Sequence, residues 1–317
     1  MLKKPILAKC CDRNSMPKTH PTSGSPEDWF SKEILAKHNL SGISFDFFVN
    51  WHLNPPSITP IIWIKRILSS QYSYPQAIAN IKNTLVKEFG EKQLEVLKAF
   101  AKNNHFKIQF IIFKDELYWK DRASEILIVN FKIDENEQFI FDTLLITMDE
   151  FETTIRNHSG GSVQIGSKGL IYGTSNLECY LSHTNSLYPG DADMIILDEN
   201  CKSICILEFK KHTLNSSIES QQLANYYPDP DGRKYNRLAI LKEYLKPYNA
   251  NIPLLNIYYP TRSHFKEGRL ELLKGSADNL STKAASNFAL PDIHSIDGFN
   301  SIIEKVKRAI SYHHSLQ

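Results

Sequence analysis

Between Pro189 and Lys210 the chain sets two apolar runs, Met194-Ile195-Ile196-Leu197 and Ile204 to Phe209, on either side of the polar stretch Asp198 to Lys202. Short apolar runs bounded by turn residues read as the two strands of a β-hairpin. In an antiparallel hairpin the start of the first strand lies beside the end of the second, which carries Asp193 back to the neighbourhood of Glu208. Side chains two apart on a strand share a face at roughly 6 to 7 Å, so Glu208 and Lys210 project together while Phe209 points into the opposite layer. With Ile204 and Ile206 expected to be buried, a charged pair at the end of this strand is costly unless it has a task.

Two converging carboxylates plus a backbone carbonyl form a hard, all-oxygen donor set. Such a set suits Mg²⁺, or Mn²⁺ as its substitute, far better than zinc. The two carboxylates are those of Asp193 and Glu208. Glu-x-Lys by itself is common as a solvated pair on edge strands, so the reading depends on the neighbouring Asp193. Cys201 and Cys205 have no second Cys or His pair at zinc spacing and read as turn and core residues.

Asp193 followed by Glu208-Phe209-Lys210 resembles the PD-(D/E)xK signature of restriction-endonuclease-like nucleases. Downstream, Gln222-Leu223-Ala224-Asn225-Tyr226 puts Gln222 and Tyr226 one turn apart on an expected helix and resembles the QxxxY element of several branches of that superfamily. Upstream, Ser175-Asn176-Leu177-Glu178 fits a capping box opening a short helix. The superfamily often carries an acid there, so Glu178 stands as an extra metal ligand or as a helix cap only. The pattern departs from the family in having Ala192 directly before Asp193, with the proline earlier, at Pro189.

The resemblance spans roughly Gly173 to Pro260. It implies an α/β (α+β) chain whose C-terminal core is a central mixed β-sheet flanked by helices, preceded by an α+β N-terminal region. It also implies Mg²⁺-dependent hydrolysis of a phosphodiester by Asp193, Glu208 and Lys210, with Asp193, Glu208 and the carbonyl of Phe209 holding the metal, Asp191 a rival for the aspartate because of the displaced proline, and Gln222 and Tyr226 orienting the lysine or the phosphate. The expected activity is that of a cytoplasmic DNA endonuclease in restriction or another defence system, partnered by DNA and by a second copy or a defence-system protein. RNA cleavage, or a non-catalytic module that binds nucleic acid or a protein, are the alternatives.

Length and composition frame these expectations. A chain of 317 residues exceeds the ~250 to 300 at which single cores stop growing, which favours two domains. The expected division is a flexible N-terminus over 1–24, an α+β targeting or partner-binding region over 25–156, and the nuclease-like domain over 157–317. Ser25-Pro26-Glu27-Asp28 reads as the first helix start. Apolar spacing over Tyr74 to Asn103, broken at Gly90, reads as a helical hairpin.

Three strands are expected at Lys107 to Phe113, Ile126 to Ile133 and Phe139 to Leu145, the last two joined by a turn at Asp134-Glu135-Asn136-Glu137. A Gly/Ser-rich linker is expected over Asn157 to Gly169, and no fixed-period repeat is seen. Phe45, Phe47, Phe48, Trp51 and Trp63 read as core or as a recognition surface.

The net charge of +2 and a pI near 8.1 confine any nucleic-acid-binding surface to a local patch. Arg233, Lys234 and Arg237, entering a helix, are its candidates, or else a solvated helix face. Five cysteines, an odd number, do not suggest a disulfide framework and fit a reducing cytoplasm. Neither a secretory apolar stretch nor a membrane-spanning run of ~18 apolar residues is present in the sequence.

Overall fold

Two helix starts in this chain, at Ser73 and Thr147, are set by reciprocal caps. Ser73 accepts the backbone N–H of Gln76 while the Gln76 amide oxygen accepts the backbone N–H of Ser73, and Thr147 with Glu150 does the same. Such reciprocal caps satisfy donors that the first helical turn otherwise leaves orphaned. The computed structural model describes residues 1–116, 119, 121–133, 135, 138–163 and 169–316. It divides into two compact units, one formed by Met1–Pro17 and Phe45–Asp191, the other by Lys18–Ser44 and Ala192–Gln317.

In the first unit, β1 (Leu2–Lys3) pairs with β4 (Ser57–Leu68), and β2 (Ala8–Lys9) pairs with β8 (Tyr172–Gly173). β3 (Ser41–Asn50, in this unit from Phe45) forms an antiparallel hairpin with β4. The chain then crosses over through α3 (Tyr74–Ala79), α4 (Ile81–Phe89) and α5 (Glu91–Asn103) to β5 (Lys107–Phe113), parallel to β4. β6 (Glu125–Ile133) and β7 (Phe139–Thr147) continue the sheet antiparallel, followed by α6 (Met148–Ser159) and α7 (Asn176–Leu181). Phe45, Phe47, Phe48 and Trp63 are all buried, so these aromatics are core rather than surface.

The second unit has α1 (Pro26–Trp29) and α2 (Lys32–Lys37), then the hairpin of β9 (Gly190–Leu197, in this unit from Ala192) with β10 (Ser203–His212). Two single turns of 3₁₀ helix, Ile218–Ser220 and Leu223–Asn225, lead into α8 (Gly232–Leu245). β11 (Leu254–Pro260) runs parallel to β10, and β12 (Glu267–Ser276) and β13 (Asn279–Ala289) follow antiparallel before α9 (Ile296–Ser315).

One face of this second sheet, including Ile196, Leu207 and Ile257, is closed by Trp29, Phe30 and Leu35 together with Ile302 and Val306 of α9. The other face receives α8 through the fully buried Tyr235, Leu238 and Leu241. Each unit is thus a mixed sheet flanked by helices. Among the described residues no helix is long and apolar enough to cross a membrane.

The structure departs from expectation in several places. The unit boundary falls between Asp191 and Ala192 rather than between 156 and 157, and residues 18–44 belong with the C-terminal half. The expected flexible N-terminus contains β1 and β2. A disulfide joins Cys10 to Cys179, correcting the expectation of none. The β2–β8 pairing brings together cysteines 169 positions apart, which spacing along the chain does not reveal. Asp134, Asn136 and Glu137 of the expected turn, and 164–168 of the expected linker, lie outside the described residues.

Candidate active site

β10 sorts its side chains by alternation. Leu207 and Phe209 belong to the layer closed by α1, α2 and α9, which leaves Ile206, Glu208 and Lys210 on the face that receives α8. Met194 and Ile196 likewise enter that first layer, so Asp193 shares the α8 face with Glu208. The pairing of Met194 with Leu207 sets Asp193 opposite Glu208 one step further along. Asp193 Oδ2 also accepts the backbone N–H of Phe209 at 2.8 Å, which fixes the carboxylate against the second strand.

The Glu208 side chain is fully buried, a position that carboxylates occupy only when paired. Two ammonium groups meet it, with Lys234 Nζ 2.9 Å and Lys210 Nζ 3.1 Å from Oε1. Among the described residues neither oxygen of Glu208 accepts a hydrogen bond of good angular geometry. The attraction to the lysines is therefore one of charge rather than of directed bonds. Lys234 Nζ also lies 3.2 Å from Asp193 Oδ1, and Lys210 Nζ lies 2.6 Å from Asp231 Oδ2. Asp231, Lys210, Glu208, Lys234 and Asp193 form one alternating chain of charges.

Lys210 is also walled by aromatic rings, with Tyr226 and Tyr235 centroids 5.0 and 5.2 Å from its nitrogen. Burial works against the ammonium and Lys234 adds to that, but Glu208 and Asp231 outweigh both and hold its pKa above the ordinary value. Lys210 is therefore a fixed positive charge.

The segment expected to be the QxxxY helix is instead a single 3₁₀ turn, with exposed Gln222 at its start and Tyr226 at its end. Tyr226 donates its hydroxyl to Oε1 of Gln221 at 2.7 Å, so the neighbouring glutamine makes the contact. The physical reason lies in Glu271. Fully buried on β12, it accepts the backbone N–H of Leu223 at 3.0 Å, the Tyr258 hydroxyl at 2.6 Å and the Thr282 hydroxyl at 2.6 Å. That carboxylate pins the turn and seats Tyr226 in a stack on Tyr258.

Glu178 lies in the first unit. Ser175 accepts its backbone N–H, as a helix cap should, and its carboxylate accepts from Thr174 and pairs with Lys65. Lys65 lies 3.1 Å from the buried Asp46. Asp191 is exposed and belongs to the first unit as well. Arg233 is exposed in the first turn of α8, and Arg237 is half-buried one turn later.

Within the second unit the structure thus brings together Asp193, Glu208, Lys210, Tyr226 and Lys234 and leaves Gln222 exposed, while Glu178 belongs to the first unit. Asp231, Gln221 and Glu271 were missed. Asp231 sits in the turn Pro228 to Gly232, and nothing in its spacing marks it as the partner of Lys210.

The donor set fits a hard divalent cation at Asp193 and Glu208, because both carboxylates already converge on a single positive charge, that of Lys234. Among the described residues no group of three or more His, Cys, Asp or Glu is clustered for a metal, so such an ion would keep several waters. No protein-family model, curated protein or solved structure matches this chain.

Proposed function

We propose that the second unit is a Mg²⁺-dependent phosphodiesterase of the restriction-endonuclease-like kind, acting on nucleic acid, with DNA the leading substrate. The observation that supports it is the convergence of Asp193 and Glu208 on one cation position, with Lys210 on the same strand face. A bound Mg²⁺ would neutralise the scissile phosphate and acidify a water. Asp193 and Glu208 would hold it.

Lys210, kept charged by Glu208 and Asp231 and boxed by Tyr226 and Tyr235, would present positive charge where the pentacovalent phosphorus gains negative charge. Lys234, released from the carboxylates, would lie at the start of α8 beside Arg233, where both can meet the phosphate backbone. Wild type in Mg²⁺ should cut a plasmid and Glu208→Gln should not. Full cleavage by wild type in EDTA would refute the proposal.

A second reading is favoured by the same ion pairs. Lys234 and Lys210 already compensate the acids, so the chain of charges could serve only to fasten α8 to β10 in a non-catalytic module. Mn²⁺ titration of the wild type separates the two, since a purely structural network binds no ion.

A further inference from the structure

The two units repeat one order of elements. In each, an antiparallel hairpin (β3–β4, β9–β10) is followed by a helical crossover to a parallel strand (β5, β11), then two antiparallel strands (β6–β7, β12–β13) and a helix (α6, α9). Parallel crossovers are almost always right-handed, so the crossover helices α3–α5 and α8 cover equivalent faces of their sheets.

The strand registers then align position by position. In the second unit Glu208 is paired with Asn256, and Asn256 with Glu271, while Lys210 is paired with Tyr258. In the first unit Ile64 is paired with Phe110, and Phe110 with Val129, while Arg66 is paired with Ile112. Asp46 lies opposite Trp63, which sets Phe45 opposite Ile64 as Asp193 is set opposite Glu208. Phe45 packs on Phe100 of α5, confirming that it faces the crossover helices. The numbering keeps a nearly constant offset, from 45 to 193, 64 to 208, 66 to 210 and 110 to 256.

At these positions the cation is retained. Arg66 pairs with Glu88 of α4 at 2.9 Å, as Lys210 pairs with Asp231. Both metal-binding carboxylates are replaced by buried hydrocarbon, Phe45 for Asp193 and Ile64 for Glu208. The acids that the first unit does hold near its hairpin, Asp46, Glu178 and the exposed Asp191, all act on Lys65, and Asp46 alternates with Phe45 to the opposite face.

We infer that the first unit is a second copy of the same fold with its site filled in, so that each chain has one hydrolytic centre and breaks one strand per encounter with a duplex. This rests on the nuclease reading of the second unit. A break through both strands then takes two chains or two encounters.

The test uses the intact wild-type chain, at concentrations where sedimentation gives single chains. Native mass spectrometry counts bound Mn²⁺, and supercoiled plasmid in excess over protein reports the product. One ion per chain is expected, with open circles accumulating first and linear DNA appearing only after a lag. Glu208→Gln should lose the ion, and Asp46→Asn should keep it.

Two ions per chain, or linear DNA formed from the first time points as fast as open circles, would overturn the inference while leaving the nuclease reading intact. A chain that binds no ion and leaves the plasmid supercoiled would overturn both.

Discussion

Replacing Lys234 by methionine isolates the competition between the protein's own ammonium and a divalent cation. Nζ lies 2.9 Å from Glu208 and 3.2 Å from Asp193, and an ion ligated by both carboxylates cannot share that space. Each contact is worth on the order of 5 kcal/mol of gross Coulomb attraction at an effective dielectric of ~20. Desolvation offsets much of this, and breaking a buried pair costs about 3 to 5 kcal/mol net. Lys234→Met, which keeps the length of the stem, should therefore destabilise the metal-free protein by roughly 3 kcal/mol, and saturating Mn²⁺ should restore most of the loss. The same energy no longer opposes the ion, so Mn²⁺ affinity should rise by about 100-fold. Titration calorimetry at neutral pH and denaturant unfolding with EDTA or Mn²⁺ measure both effects. Unchanged or weaker Mn²⁺ affinity in a folded variant would refute the shared position.

Lys210→Ala should lower single-turnover cleavage by about 10² to 10⁴ while Mn²⁺ still binds, and wild-type cleavage by this variant would remove the lysine from the mechanism. Burial first, then Glu178 and Asp191, push the Asp46 carboxyl up to about 7 from an ordinary 3.8, against the pull of Lys65. A carboxyl raised on folding contributes stability at low pH that is lost as pH climbs from near 4 through 7. Urea midpoints across pH 5 to 8 should therefore fall more in wild type than in Asp46→Asn, and parallel profiles would count against the shift. Glu271→Leu strands the Leu223 N–H and the buried Tyr258 hydroxyl, so it should cost about 1 to 3 kcal/mol and loosen Tyr226. Denaturant unfolding and near-ultraviolet dichroism would show it, and a neutral effect would mean that the turn holds itself.

The hairpin was legible because its signals are local. Alternation over Met194–Leu197 and Ile204–Phe209 with a polar turn between them determines which side chains share a face, and Asp193, Glu208 and Lys210 meet as that pattern requires. The helices around Gly90 and the strand Lys107–Phe113 were legible for the same reason. What the pattern could not show depends on partners distant in the chain. The turn at Gln222 to Tyr226 has acceptable helical spacing, but Glu271, from a strand nearly fifty residues later, captures the Leu223 N–H and holds a 3₁₀ turn instead. Glu178 has a recognisable cap, yet the carboxylate itself is claimed by Lys65. The doubling of the fold was illegible because it conserves strand order and register while Phe45, Ile64 and Phe110 stand where Asp193, Glu208 and Asn256 stand.

That substitution bears on why the second unit retains its charges. Ion pairs taken out of water cost several kcal/mol per ion in desolvation, and well-packed hydrocarbon of similar volume usually serves stability as well or better. The first unit embodies the alternative, since the same strand order closes over Phe45 and Ile64 with no carboxylate at either position. Folding alone therefore does not require acids at 193 and 208. A chain that needed only to fasten a crossover helix to its sheet could have filled both copies with hydrocarbon and kept a single cation with its partner, as Arg66 does with Glu88. The second unit instead buries Glu208 completely, sets Asp193 beside it and supplies two lysines. That arrangement is the one the proposed metal site requires, and Lys234→Met measures whether the carboxylates hold a metal ion.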